Sequence, residues 1–245
     1  MCEILAVAWE EPQPLEKALL WAREVERLGI ARFGWGAAWV SEDGRLRGYR
    51  RPTSLADDPE GSDRVASQSS RRVLIHLRRP SFLSTVQLAS TQPFVEPRGR
   101  YAFAHNGFFK RHIDYRPRYK DLLEGNADSE VGFQLFDSLL ESRSPEAALQ
   151  AVHEELRGTA NLAHLSGEGD LHVYGGNRGN PFWKFRFEGA TVACTGLHSR
   201  DDSLFALLFQ EPRNLEVVER ETATVGTAIA GYGPGQADRS PPETS

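Results

Sequence analysis

Cys2 combines a thiol with a position at which a free α-amino group can arise. If the initiator methionine is removed, the thiol and the α-amine belong to the same residue. An α-amine titrates near pH ~8, so it can take the thiol proton at cellular pH and act as a built-in base for the nucleophile. The apolar run at residues 4–7 predicts a buried strand that holds this terminus in the fold. A small apolar cysteine at the start of a buried strand is the alternative interpretation.

Asn106 and Gly107 follow a short strand predicted at residues 101–104. Attack on a side-chain amide produces a tetrahedral oxyanion, which is stabilised by hydrogen-bond donors that are already in place. The Asn106 side-chain NH₂ and the Gly107 backbone N–H can supply two such donors from one tight turn. An Asn-Gly pair is otherwise typical of an ordinary turn.

Two charged residues lie at the ends of predicted elements. Arg78 ends a predicted strand at 73–78, and its planar guanidinium can hold a carboxylate through two parallel hydrogen bonds. Arg79 is the neighbouring alternative. Asp128 opens a predicted helix, where either Asp128 or Ser129 is a suitable N-cap. A solvated strand end and a helix cap are therefore the structural alternatives to binding roles for these charges.

Taken together and in chain order, four sites resemble those of the class II glutamine amidotransferases, an N-terminal-nucleophile family: Cys2, Arg78, Asn106-Gly107 and Asp128. The resemblance implies that Cys2 attacks the side-chain carbonyl of a γ-glutamyl group. It also favours the oxyanion role for Asn106 and Gly107 over an ordinary turn. It assigns no proton transfer to His105, which we interpret as structural.

The same resemblance implies how the substrate is held. Arg78 matches the arginine that binds the α-carboxylate of glutamine, and Asp128 matches the aspartate that binds its α-amino group. Ser81 falls where the family often has a threonine near the substrate. Three residues depart from the family pattern. Gln92 stands in place of a histidine, Phe82 stands where some members complete a Thr-His pair, and Ala127 stands in place of a serine or threonine. These departures leave the subfamily open.

Composition restricts the class of partner. The chain has 245 residues, 40% of them hydrophobic, which is enough for a sizeable core in one large or two small domains. A formal net charge of -5 provides no basic surface for nucleic acid or membranes, and no apolar run is long enough to span a bilayer. Glu3 stands where a signal peptide would be positive. Two cysteines suggest neither a disulfide framework nor a zinc cluster, so we expect a cytoplasmic protein. The reaction implied by the resemblance needs no metal or organic cofactor.

Hydrophobic periodicity predicts the elements that position these residues. Helices are predicted from residue 15 to Gly29, from Asp128 to about residue 140, and from Pro145. Strands are predicted at 33–40, 161–165, 171–174, 183–187 and 191–195, the last with Cys194 buried and inert. Gly34-Trp35-Gly36 resembles a family segment that lies beside the nucleophile strand.

The resemblance and this order of elements together imply an α+β fold, a four-layer αββα sandwich of two antiparallel sheets between helical layers. We expect one domain over residues 1–230. Residues 231–245 are rich in Gly, Pro, Ser and charge, and are predicted to form a disordered tail.

The function predicted from the resemblance is hydrolysis of glutamine or a γ-glutamyl amide through a glutamyl thioester. A synthase of this family carries an acceptor domain after the glutaminase domain, whereas this sequence ends at residue 245. We therefore expect a stand-alone amidohydrolase. The alternatives are a glutaminase subunit that delivers ammonia to a synthase partner, and a non-catalytic γ-glutamyl-binding module. A retained Met1 would favour the module, because a blocked amine cannot serve as the base.

Overall fold

The computed structural model describes residues 2–197 and 207–228. Within these residues, twelve strands form two antiparallel sheets. The larger sheet has seven strands, in the spatial order β11 (Arg213–Val218), β9 (Phe182–Phe187), β10 (Ala190–Thr195), β1 (Glu3–Pro14), β4 (Ser69–Leu77), β2 (Trp35–Val40) and β3 (Leu46–Arg51). The smaller sheet has five, in the order β12 (Thr222–Gly226), β8 (Leu171–Gly175), β7 (Gly158–Ser166), β6 (Tyr101–Phe109) and β5 (Phe94–Val95).

Five α-helices accompany these strands in the described part of the chain: α1 (Glu16–Leu28), α2 (Pro59–Ala66), α3 (His112–Tyr115), α4 (Asp128–Leu140) and α5 (Pro145–Leu156). Helices α1 and α2 cover the outer face of the seven-stranded sheet, and α4 and α5 cover the outer face of the five-stranded sheet. None of these helices is long and apolar enough to cross a membrane.

Strand alternation explains the layers, because successive side chains of a strand point to opposite faces of its sheet. In β1, Leu5 and Val7 pack in the core beneath α1, whereas Ile4 and Ala6 pack in the core between the two sheets. Small residues such as Ala104 of β6 meet them from the other sheet. The predicted four-layer αββα sandwich is therefore confirmed, and β1 lies at the centre of its larger sheet.

The predicted end of α1 is confirmed, since Gly29 is its C-cap, with an extended backbone (φ -89°, ψ -167°). One detail of the expected fold is wrong. The Gly-Trp-Gly segment does not lie beside β1, because β4 is inserted between β1 and β2. Its glycines do allow close approach of backbone, since a Cβ at Gly36 would collide with the carbonyl oxygen of Gln92. The predicted tail at 231–245 lies outside the described residues.

Candidate active site

Cys2 lies immediately before the central strand β1 of the larger sheet. Its thiol is partly exposed and touches the main chain of Arg79. The Arg79 N–H donates to Sγ at 3.3 Å, and the thiol faces the Arg79 carbonyl oxygen at 3.5 Å. Glu3 pairs with Leu77 of the neighbouring strand, so the chain that leaves β4 passes directly beside the thiol.

The surroundings of Cys2 favour the protonated form of its thiol. Burial raises the pKa of the Cys2 thiol, and the Arg79 N–H and the nearby Arg78 charge offset only part of that rise. Since the thiolate is the attacking species, the site needs a base that removes the proton at the moment of attack. The α-amine of Cys2 itself, once freed of Met1, is the base that the sequence places nearest to the sulfur.

Arg78 follows the last residue of β4 and is almost fully buried, at 4% exposure. Its Nη2 donates to the hydroxyl of Thr85 at 2.8 Å, while Nη1 is buried and has no hydrogen-bond partner among the described residues. Burial lowers the pKa of Arg78, but a guanidinium remains charged in proteins. Arg79 is exposed and offers Cys2 its backbone. Both arginines line the cavity described below, but only Arg78 is buried there with a guanidinium nitrogen that has no partner among the described residues.

Asp128 is the first residue of α4, and Ala127 occupies the N-cap. The expected cap of Asp128 or Ser129 is wrong, because the Asp128 carboxylate turns back to accept the N–H of Phe109 at 2.8 Å. At the start of α4 the carboxylate of Glu130 accepts the N–H of the N-cap residue, Ala127, at 3.2 Å. The Asp128 carboxylate is thereby held against the end of β6 and does not cap its own helix.

Asn106 and Gly107 do not form a tight turn. Both lie inside β6, where Asn106 pairs with Asn161 and Gly107 with Ala160 of β7. The Gly107 backbone has φ 143°, and a Cβ there would collide with the carbonyl oxygen of Thr159. Glycine is therefore required at position 107 for both its backbone angle and its close approach to β7.

The Asn106 side chain is fully buried, and its NH₂ group has no hydrogen-bond partner within residues 2–197 and 207–228. Its oxygen is occupied, since the NH₂ groups of Asn161 and Asn177 both lie 3.5 Å from Oδ1. A buried donor without a partner costs free energy unless a ligand completes it. Asn161 and Asn177 were not predicted as site residues, although a polar residue such as Asn161 inside a predicted buried strand was a usable signal.

These elements enclose one cavity of about 260 Å³. Five of the predicted site residues line it: Cys2, Arg78, Ser81, Gly107 and Asp128. Asn106 lies just behind its wall, since both chain neighbours, His105 and Gly107, are wall residues. Ser81 is exposed and lines the cavity wall. The hydroxyl that contacts Arg78 belongs to Thr85. Thr85 ends a short 3₁₀ helix at Leu83–Thr85 and was not predicted as a site residue.

Gln92, one of the residues that depart from the family pattern, also lines the cavity and is 3% exposed. Its side-chain oxygen accepts the N–H of His105 at 2.7 Å, which fixes the backbone next to Asn106. The His105 ring stacks on Phe109 with 4.0 Å between ring centroids, and burial lowers the pKa of His105. This packing agrees with the structural interpretation of His105. Cys194 is fully buried as expected, and burial raises its pKa well above the ordinary value.

The arrangement combines a nucleophile, a cation, an anion and the backbone of Gly107 around one small cavity, with the unpartnered NH₂ group of Asn106 behind its wall. A zwitterionic amino acid fits this pattern, since its carboxylate can approach Arg78 and its ammonium group Asp128. Across the described residues, no group of three or more His, Cys, Asp or Glu side chains is placed to hold a metal ion.

Comparison with known proteins agrees with this geometry. Residues 1–177 match the family model described as glutamine amidotransferases class-II. A search of the curated proteins found no match. Among solved structures, glutamine phosphoribosylpyrophosphate amidotransferase from B. subtilis superposes with a TM-score of 0.65 at 13% identity, over 91% of this chain and 48% of that one. This chain therefore spans about half the length of that enzyme.

Two shorter solved structures are also similar. A glutamine aminotransferase class-II domain protein from Silicibacter pomeroyi has a TM-score of 0.55 at 19% identity, over 79% of this chain and 88% of that one. A predicted glutamine amidotransferase from Pseudomonas aeruginosa has a TM-score of 0.50 at 17% identity, over 94% of this chain and all of that one. At these identities the superpositions show a shared fold.

Proposed function

Because this chain belongs to the class II glutamine amidotransferases, we propose that it hydrolyses glutamine or another γ-glutamyl amide, with Cys2 as the nucleophile. The observation that carries the proposal is the single cavity that brings Cys2, Arg78 and Asp128 together from three separate elements. A γ-glutamyl group presents a carboxylate, an ammonium group and a side-chain amide, and the cavity offers one complementary group for each.

The proposed reaction begins with removal of Met1, which converts the Cys2 amide nitrogen into a free α-amine. This amine takes the thiol proton, directly or through water, and Sγ attacks the side-chain carbonyl carbon. The carbonyl oxygen becomes an oxyanion that Asn106 and Gly107 stabilise. The intermediate then collapses to a glutamyl thioester, and the amide nitrogen leaves with the proton that the α-amine returns.

Water completes the cycle. The α-amine removes a proton from water as it attacks the thioester carbonyl, and a second tetrahedral oxyanion forms in the same position. Its collapse releases glutamate and regenerates the thiol. In this proposal Arg78 and Asp128 hold the α-carboxylate and α-amine throughout, so that the reacting carbonyl stays in place over both steps. Ser81 lies on the same wall and is proposed as a further substrate contact.

We further propose that water is the acceptor and that the protein works as a stand-alone amidohydrolase. A second candidate is delivery of ammonia to a synthase partner. Three exposed apolar side chains on the cavity wall favour that candidate: Phe82 at 68% exposure, Phe108 at 41% and Ile113 at 68%. Equal amounts of glutamate and ammonia released by the purified protein alone would support the amidohydrolase, whereas turnover only with an added partner would support the synthase subunit.

The test of the nucleophile is the intact mass of the purified protein before and after incubation with 6-diazo-5-oxonorleucine, an electrophilic glutamine analogue. We expect loss of the methionine mass and addition of one analogue per chain. Cys2→Ser should give no adduct and almost no turnover, whereas the matched control Cys194→Ser should be labelled like the wild type. Near-normal glutamine hydrolysis by Cys2→Ser would refute the mechanism. A retained methionine without adduct would favour a non-catalytic γ-glutamyl-binding module.

A further inference from the structure

We propose that Asn161 and Asn177 are positioning residues for the reaction, because they hold the Asn106 amide with its NH₂ group turned toward the reacting carbonyl. This inference rests on the proposed function of the cavity. It concerns two residues that do not line the cavity and that act only through Asn106.

The orientation of each positioning amide is determined by main-chain groups. The Asn161 oxygen accepts the N–H of Asn177 at 3.1 Å, and its NH₂ donates to the carbonyl oxygen of Asn180. The Asn177 oxygen accepts the N–H of Gly179 at 3.1 Å. Because a main-chain N–H can only donate and a carbonyl oxygen can only accept, neither side-chain amide can turn over without losing its bonds.

Both NH₂ groups converge on the same oxygen. Asn161 and Asn177 each place Nδ2 at 3.5 Å from Asn106 Oδ1, at the outer limit of hydrogen-bond distance. Reversal of the Asn106 amide would bring its NH₂ against two other NH₂ groups in a fully buried environment. Reversal is therefore disfavoured, and the free NH₂ of Asn106 must face away from this pair.

Strand alternation shows where that free NH₂ lies. Asn106 has the same parity along β6 as Ala102 and Ala104, which pack between the sheets. Cys2 immediately precedes β1, whose Ile4 and Ala6 pack there from the other side. Side chains of equal parity share a face, so the Asn106 amide faces the space between the sheets, and Cys2 lines the same cavity as Gly107, the next residue of β6. Preorganised donors of this kind add no reorganisation cost when the oxyanion forms.

The experiment uses Asn177→Asp, which preserves the size of the side chain and an acceptor for Gly179 N–H. A carboxylate at this position would attract the Asn106 NH₂ and withdraw it from the oxyanion. We expect kcat for glutamine to fall by about 10²-fold at pH 8, with KM changed by less than about threefold. Asn214→Asp makes the same chemical change on exposed β11 and should keep wild-type kinetics.

Two readouts separate positioning from general damage to the fold. In an Asn106→Ala background, Asn177→Asp should cause almost no further loss of kcat, because its effect passes through Asn106. The ratio of variant to wild-type kcat should also recover as the pH falls, since the introduced carboxyl group, once protonated, has an O–H that can donate to Asn106 Oδ1. A multiplicative loss in the double variant, or a kcat ratio independent of pH, would overturn the proposal.

An activity-independent measurement keeps the two proposals distinguishable. The Asn106 side-chain NH₂ signal can be assigned in a ¹⁵N–¹H spectrum by its absence from Asn106→Ala. We expect Asn177→Asp to shift this signal strongly and Asn214→Asp to leave it unchanged. An unmoved signal would refute the positioning role even if the enzyme is active. A shifted signal in a protein that forms no adduct with the glutamine analogue would support the positioning contact and refute the proposed function.

Discussion

The Asp128 carboxylate accepts the backbone N–H of Phe109 at 2.8 Å, which joins the first residue of α4 to the last residue of β6. This bond spans 19 positions of sequence and crosses from the helical layer to the five-stranded sheet. It uses Oδ2 and leaves Oδ1 without a protein partner among the described residues. One carboxylate thus holds the helix in place and remains available to a ligand in the cavity.

Substitution at Asp128 should separate these two roles. Asp128→Asn keeps an oxygen that can accept the Phe109 N–H but removes the negative charge. We expect KM for glutamine to rise at least tenfold with little change in Tm, because the substrate ammonium loses its counter-ion. Asp128→Ala should raise KM similarly and also lower Tm, since a buried N–H loses its acceptor, at a cost of about 1–3 kcal/mol. Normal KM in Asp128→Asn would show that the residue only supports the helix.

Substitution of Arg78 should weaken substrate binding more than the matched change at its neighbour. Lysine keeps the charge but cannot form two parallel hydrogen bonds to a carboxylate. We therefore expect Arg78→Lys to raise KM for glutamine at least tenfold, while Arg79→Lys stays within about twofold because Arg79 contacts Cys2 only through its backbone. Steady-state kinetics of both variants provide the check. A larger effect at Arg79 would reverse the assignment.

The pH dependence of Cys2 alkylation should depend on Met1. Burial raises the pKa of the Cys2 thiol, so with Met1 retained the rate of reaction with iodoacetamide should still be rising above pH 9. Removal of Met1 adds an α-amine that titrates near pH ~8, and the rate should then level off at lower pH. The two forms can be prepared with and without inhibition of methionine aminopeptidase during expression. Identical profiles would argue against the α-amine as base.

Buried histidines should make the fold acid-sensitive. Burial lowers the pKa of His76 and of His164 to about 3, below the ordinary value of 6.5. Their contribution to the free energy of unfolding is therefore complete above pH 6.5 and is lost as the pH falls toward 3.

The variant His164→Phe should lose less stability between pH 7 and pH 5 than the wild type, as measured by urea unfolding. Position 164 suits this change, because its ring already packs against Tyr101 and Phe136. A His164→Phe slope equal to that of the wild type would contradict the assignment.

Much of the fold could be predicted because its signals are local. The apolar alternation of β1 and the helical spacing within α1 depend on residues that are close in sequence, and hydrophobic burial follows such periodicity directly. The order of Cys2, Arg78, Asn106-Gly107 and Asp128 along the chain was equally visible, and it was sufficient to indicate the family.

Other features depended on pairing between distant segments. Local propensity suggested a turn at Asn106-Gly107, yet pairing with β7 extends the strand through both residues. Local capping preference suggested Asp128 or Ser129 as N-cap, yet a backbone N–H of β6 draws the Asp128 carboxylate away. The insertion of β4 between β1 and β2 likewise follows from the order of strands in the sheet, which periodicity does not encode.

By itself, the sequence determined which chemical groups are available: a thiol beside a potential α-amine, an arginine at the end of a predicted strand, an amide, a glycine and a carboxylate. Only the tertiary structure decided which of their hydrogen-bonding atoms remain unused. Arg78 donates from Nη2 to Thr85, while its Nη1 has no partner within the described chain. Asn106 accepts at Oδ1 from Asn161 and Asn177, while its Nδ2 has no partner there either. The physical reason is that hydrogen-bond satisfaction is settled by contacts between residues far apart in sequence, whereas residue type and spacing are properties of the chain alone.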